Sequence, residues 1–416
     1  MIYNSFLLRP FVLTWVKNTL LFLLLFIFSC GSSARNKQPN VKSEKAEVSN
    51  EIVSLEEIKT GAENVGAYLT LLQDKKIGVV TNQTGILSNK THLVDFLIDK
   101  KINITKIFAP EHGFRGTADA GELIKDGKDT KTGLPIISLY GDNKKPKPEQ
   151  LAGIDILVFD LQDVGARFYT YISSLHYVME ACAENNIELI VLDRPNPNGK
   201  IVDGPILESA FKSFVGMHEI PILHGMTIGE YAKMINGEKW LKDGINCKLK
   251  VIPCLNYNRE MSYSLPVKPS PNLPNDQAIN LYASLCLFEG TNVSVGRGTE
   301  KQFQIYGSPF LSKTNFNFTP IPNFGAKDPT HNGKLCYGED LSKINKINQL
   351  ELKWLIGAYK STSDKAKFFN AFFTKLSGTK KLQQQIENGK SEIEIRKSWE
   401  SGLVAFKKVR SKYLIY

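Results

Sequence analysis

The sequence predicts an α/β fold built on a mostly parallel sheet, on two patterns. Short continuous apolar runs recur between residues 77 and 253, and segments with helical spacing lie between several of them. A third observation locates the ligand. Polar and ionisable residues gather just beyond the carboxyl ends of these runs, where open parallel sheets bind ligands.

The elements follow in order. Ile77 to Thr81 reads as a strand and ends in the turn Asn82-Gln83-Thr84-Gly85. Residues 91–100 space His92, Leu93, Phe96 and Leu97 at helical intervals. A second strand, Ile104 to Ala109, runs into Pro110-Glu111-His112-Gly113. Leu134 to Tyr140 and Ile154 to Leu161 are further strands, the first followed by Gly141-Asp142. A helix over 171–185 leads to the strand Glu188 to Leu192, which ends at Asp193-Arg194. A helix over Thr227 to Asn236, with Thr227 as N-cap, precedes the strand Cys247 to Pro253. Pro266, Pro269, Pro271 and Pro274 then crowd together, which puts a domain boundary near 278. Between about 345 and 410, Trp354, Leu355, Phe368, Phe369, Phe372, Phe373, Trp399 and Phe406 recur at three- and four-residue spacing and read as core packing. The expected organisation is a Rossmann-like domain over 51–278 with a smaller α+β domain over 279–416.

The first thirty residues read as a leader. Arg9 and Lys17 precede an apolar run over Leu20–Phe28, which stops at Ser29-Cys30-Gly31. The run is short for a spanning helix. Ile27-Phe28-Ser29-Cys30 resembles a bacterial lipobox, in which Cys30 carries the lipid. Residues 31–50 are polar and aperiodic and read as a tether. Export is therefore expected, with a lipid anchor on Cys30 in the cell envelope and a periplasmic or secreted protein as the alternative.

Composition removes several classes. The 416 residues hold 52 Lys+Arg against 42 Asp+Glu, and loss of the leader leaves 50 against 42. That modest excess, without an Arg-rich tract or an aromatic-basic module, argues against nucleic acid and suits an anionic envelope. Neither GxGxxG nor GxxxxGK[ST] occurs, so no dinucleotide or phosphate cofactor is expected. Without a CxxC pair no zinc site is expected either. Cys182 and Cys286 read as buried thiols, and Cys247 with Cys254 is the pair to consider for a disulfide.

Four segments carry candidate chemistry. Glu111 lies between a strand end and a glycine turn, beside His112, Phe114 and Arg115. A carboxyl projecting there against an apolar wall can serve as a general acid, or can cap the following turn. Asp160 to Tyr171 is the densest cluster: Asp163 and Arg167 can pair or touch substrate, and Tyr169 and Tyr171 offer flat faces to a sugar. Asp193-Arg194-Pro195-Asn196-Pro197-Asn198-Gly199 is a proline-stiffened polar loop, and His224 stands before a glycine. Glu289, Arg297 and Glu300 sit in a glycine-rich stretch, where an arginine can fork onto a carboxylate.

TNQTG (81–85), APEHGFRG (109–116), DLQDVGARFYTYI (160–172), LDRPNPNG (192–199), SPNLP (270–274) and LFEGTNVSVGRGTE (287–300), together with the terminal KYLIY (412–416), resemble the exo-acting β-N-acetylmuramidases of the NamZ type. The resemblance implies a Rossmann-like domain, a smaller C-terminal domain and a cleft between them. It implies release of N-acetylmuramic acid from the non-reducing ends of peptidoglycan fragments, with muropeptides or disaccharides as partners. By the same resemblance Glu111 becomes the leading catalytic acid, assisted by Asp160, Asp163 or Glu289, or by the substrate's own N-acetyl group. Substrate contacts are then expected from His112, Arg115, Arg167, Tyr169, Tyr171, Asp193, Arg194, Asn196, His224, Arg297 and Glu300. Arg167, Arg194 or Arg297 would hold the lactyl carboxylate. The competing class is a non-catalytic envelope protein that binds glycan. An esterase or amidase finds no GxSxG elbow or metal-ligand spacing.

Overall fold

The computed structural model describes residues 56–115 and 126–416. The leader, Cys30 and the tether lie outside the described residues. Seven strands form the main sheet: β1 (Lys76–Thr81), β2 (Asn103–Ala109), β3 (Gly127–Lys128), β4 (Pro135–Ser138), β5 (Ile156–Asp160), β6 (Glu188–Leu192) and β7 (Lys248–Ile252). Their order is β3-β4-β2-β1-β5-β6-β7. Every neighbour pair is parallel except β3 with β4, which forms an antiparallel edge. From β1 the chain winds outward through β2 and β4, then restarts at β5 on the other side and winds to β7. The reversal between β1 and β5 leaves a crevice beyond their carboxyl ends, where Thr81 is registered with Asp160.

Both faces of the sheet are covered, and for that reason its strands are continuous apolar runs. Successive residues enter opposite cores: Val79, Ile107, Val158 and Ile190 face one, and Val80, Phe108, Phe159 and Val191 the other. The first core is closed by α1 (Leu69–Leu72) and α2 (Leu93–Asp99). Against the second lie α4 (Tyr171–Glu184) and α5 (Ile228–Gly237), while α3 (Pro148–Leu151) precedes β5. Helix α5 starts where its sequence requires: Thr227 Oγ1 accepts from Glu230 N, and Glu230 reaches back to Thr227 N at 3.0 Å.

The second core continues without a break into the C-terminal part. Residue 278 lies inside α6 (Asp276–Leu285), which is capped by Asn275. Three short strands, β8 (Ile305–Ser308), β9 (Asn317–Phe318) and β10 (Cys336–Asp340), form an antiparallel sheet in the order β8-β10-β9. Five short helices end the chain: α7 (Lys353–Ser361), α8 (Phe373–Ser377), α9 (Lys381–Glu387), α10 (Glu392–Lys397) and α11 (Glu400–Arg410). Trp354, Leu355, Phe368, Phe373, Trp399 and Phe406 are buried as their spacing predicts, but Phe372 is 38% exposed. The last residue returns to the main sheet: the Tyr416 hydroxyl donates to Asp193 Oδ2 at 2.9 Å, just past β6.

The described cysteines are all free and buried. Cys247 therefore does not pair with Cys254. Its neighbouring thiol is Cys182, whereas Cys254 Sγ points to Asp193 O at 3.3 Å.

Candidate active site

Beyond the carboxyl ends of β2, β4 and β5 opens a cavity of about 800 Å³, mouth included. Glu111 enters it from the turn after β2. The backbone there is held in a left-handed bend, with His112 at φ 74° and Gly113 at φ 75°. Tyr140, after β4, donates its hydroxyl to Glu111 Oε1 at 3.1 Å, and Thr170, at the head of α4, donates to Oε2 at 3.3 Å. The Tyr171 hydroxyl accepts from Asn82 Nδ2 at 2.6 Å and lies 3.4 Å from the Glu111 carbonyl. The end of β4 and the head of α4 thus aim the carboxyl group that the end of β2 presents. Burial, and then the Glu111 charge, push the Tyr140 phenol well above its usual range, so it stays a proton donor at all working pH.

The opposite wall comes from the turn after α6. Glu289 and Arg297 pair there at 2.7 Å, and Cys286 Sγ lies 3.3 Å from the other Glu289 oxygen. Burial works against the Arg297 charge, but the Glu289 carboxylate outweighs it and holds the guanidinium above its ordinary range. The ring of Phe303 lies 5.1 Å from the guanidinium and fixes its plane. Because Glu289 takes Nε, the forked Nη edge can grip a second carboxylate. Phe168, Tyr169, Tyr282 and Phe303 wall the cavity, and Tyr169 anchors its hydroxyl on Pro269 O at 2.7 Å.

Of the residues predicted from sequence, Glu111, His112, Tyr169, Tyr171, Glu289 and Arg297 share this cavity. The others are placed elsewhere, each for an identifiable reason. Asp160 and Arg194 are fully buried and neutralise each other through two hydrogen bonds, at 2.6 and 3.0 Å. Asp163 accepts from Gly165 N at 2.7 Å and lies 3.5 Å from His224, itself fully buried. Arg167 is a brace: its guanidinium donates to the carbonyls of Pro205, Ile220 and Leu376, and burial lowers its pKa to about 9. Asp193 accepts four hydrogen bonds, from Arg194 N, Gly229 N, Thr227 and Tyr416, and burial raises its pKa to about 7. Asn196 ties its own loop to Met226 O. Arg115 pairs with Asp129 at 2.9 Å, and Glu300 is exposed, both away from the cavity lining. These assignments correct the expectation that the whole polar rim touches substrate.

The sequence put Tyr140 at the polar rim but gave it no role, and Phe214 and Phe372 were not expected in the cavity at all. Tyr140 carried a usable signal, a polar residue at a strand end. The two phenylalanines carried none, since nothing in their spacing separates an exposed ring from a core ring.

Fold and cavity define a class: a doubly wound α/β protein with an acid-bearing, aromatic-walled pocket at its sheet's carboxyl edge, completed by a C-terminal segment. The family models described as "Exo-beta-N-acetylmuramidase NamZ, N-terminal" and "C-terminal" match residues 77–277 and 280–416. The chain belongs to that family. It is 41% identical over 390 residues to the peptidoglycan beta-N-acetylmuramidase NamZ of Bacillus subtilis (strain 168), covering 88% of this chain and 93% of the relative. Two solved DUF1343 family proteins from Bacteroides fragilis share the fold. One has 46% identity and a TM-score of 0.80, the other 29% and 0.72; each match covers 86% of this chain and 99% of the other.

Proposed function

We infer that this protein is an exo-acting glycoside hydrolase that releases N-acetylmuramic acid from the non-reducing ends of peptidoglycan fragments. The observation that carries the reading is one aromatic-walled cavity lined by both Glu111 and Arg297. The family membership and the Bacillus subtilis relative support it. Glu111, aimed by Tyr140 and Thr170, donates the proton to the departing glycosidic oxygen. Glu289, positioned by its pairing with Arg297, stabilises the oxocarbenium-like sugar or orients the incoming water. The free fork of Arg297 holds the lactyl carboxylate, the group that separates muramic acid from glucosamine. With Asp160 and Asp163 bonded into the scaffold, Glu289 is the acid left to assist Glu111. The leader and the Ser29-Cys30-Gly31 junction support action in the cell envelope from a lipid anchor on Cys30.

The test is a chromogenic β-glycoside of N-acetylmuramic acid beside its N-acetylglucosamine counterpart. Chromophore is expected from the first only, and Glu111→Gln is expected to lose about 100-fold or more with unchanged circular dichroism. Near-normal turnover by Glu111→Gln removes Glu111 as the acid. Tight binding without release by the native protein makes it a glycan-binding protein instead.

A further inference from the structure

Four phenylalanines, Phe368, Phe369, Phe372 and Phe373, lie within six residues of one another. Three of them pack ring against ring: Phe368 on Phe369 at 4.8 Å and Phe369 on Phe373 at 4.4 Å, with Phe368 and Phe373 fully buried. Phe372 turns away from this cluster, 38% exposed, and its ring lines the cavity that holds Glu111. The exposed part of that ring adds nothing to the fold, because burial is what stabilises an apolar group, and it stays available to a ligand in the cavity.

Its position is nevertheless fixed. Asn370 Oδ1 accepts from Phe372 N at 2.8 Å, Asn370 N donates to Gly290 O at 2.9 Å, and Asn370 Nδ2 donates to Glu289 O at 3.3 Å. Gly290 permits the approach, since a Cβ there would stand 2.4 Å from Phe373 Cα. The exposed ring is therefore tied to the backbone of the acid Glu289. Nearby, the half-buried Phe214 also lines the cavity, backed by Tyr177 in a stacked pair at 6.2 Å.

Among the rings that line the cavity these two are more exposed than Phe168, Tyr169, Tyr282 and Phe303, which are buried. Arg297 sits beside the buried Phe303, Tyr282 and Cys286, so a lactyl carboxylate held there sets the muramic residue against those walls and leaves the exposed rings for the sugar beyond the scissile bond. That sugar then lies toward Phe372 and Phe214. Resting on the hydrolase reading above, we propose that Phe372 is the stacking platform for the leaving-group sugar, with Phe214 as the second wall. The apolar C–H face of an equatorially substituted hexose, such as N-acetylglucosamine, fits such a ring. Phe372 is then a determinant of leaving-group specificity and takes no part in proton transfer.

The experiment compares two substrates that share the muramic residue. One is the disaccharide of N-acetylmuramic acid on N-acetylglucosamine; the other is N-acetylmuramyl fluoride, which has no leaving-group sugar. Phe372→Ala is expected to lower kcat/KM about tenfold more on the disaccharide than on the fluoride, and Phe372→Trp to restore most of the difference. Equal losses on both substrates, no loss on either, or a selective loss that tryptophan does not restore would overturn the platform. A native protein that cleaves neither substrate overturns the hydrolase reading itself, so the two failures are distinguishable.

Discussion

Glu111 and Asp160 both follow apolar strands and both looked like candidate acids, yet one faces the cavity and the other faces Arg194. A one-dimensional pattern marks the end of a strand; it does not say whether a neighbouring loop supplies a counter-charge. The same ambiguity held for the arginines. Arg167 and Arg194 are fully enclosed and donate to carbonyls or to Asp160, while Arg297 alone of the three lines the cavity. Arg297→Gln is therefore expected to reduce the preference for the lactyl-bearing sugar over N-acetylglucosamine about 100-fold, read as the ratio of kcat/KM on the two chromogenic glycosides. Arg297→Lys should recover little of that ratio, because an ammonium cannot grip Glu289 and a second carboxylate through one planar fork. A preference unchanged in both variants would remove Arg297 from recognition.

At the scale of elements, the strands and the helices α4 and α5 were legible because each shows its own pattern of apolar residues, and α5 also carries its own cap. The edge strand β3, two residues long, and the short helix α3 were not, since neither offers a run long enough to show periodicity. Between elements, the carboxyl ends of β5 and β6 are joined by the buried Asp160–Arg194 pair, and Arg194 also donates to Ile86 O at 3.1 Å. Arg194→Met leaves the Asp160 charge enclosed without a partner and should destabilise by about 3–5 kcal/mol in urea unfolding. The double variant Asp160→Leu with Arg194→Met should recover a large part of that loss. If the single variant unfolds at the native urea concentration, the pair does not hold the rim together.

Over the whole molecule, burial lowers the proton affinity of four histidines, His92, His176, His218 and His331. His218 is the most enclosed: it stacks on Trp240 at 4.3 Å and hydrogen-bonds Tyr231 and His176. Unfolded histidines take up protons near pH ~6.5, whereas these take them up only at lower pH in the fold. Below pH ~6.5 these histidines thus bind more protons in the unfolded chain, and their contribution to stability falls as pH falls. Asp193, whose carboxyl holds its proton up to about 7 in the fold, offsets part of that loss. Tm should drop between about pH 7.5 and pH 5, and drop less in His218→Gln. An equal drop in both proteins would mean that other groups govern the acid limb.

The sequence by itself determined the layered α/β fold and the sheet edge where the cavity opens, and it placed Glu111 at that edge. Each of these rests on local period, local capping or a contiguous motif. Only the tertiary structure decided which rim residues line the cavity and which brace the scaffold. That choice depends on pairings such as Arg194 with Asp160, Tyr140 with Glu111 and Asn370 with Glu289, between residues 34, 29 and 81 positions apart. Hydrogen bonding and desolvation act through space, so a side chain's role is fixed by what the fold sets beside it.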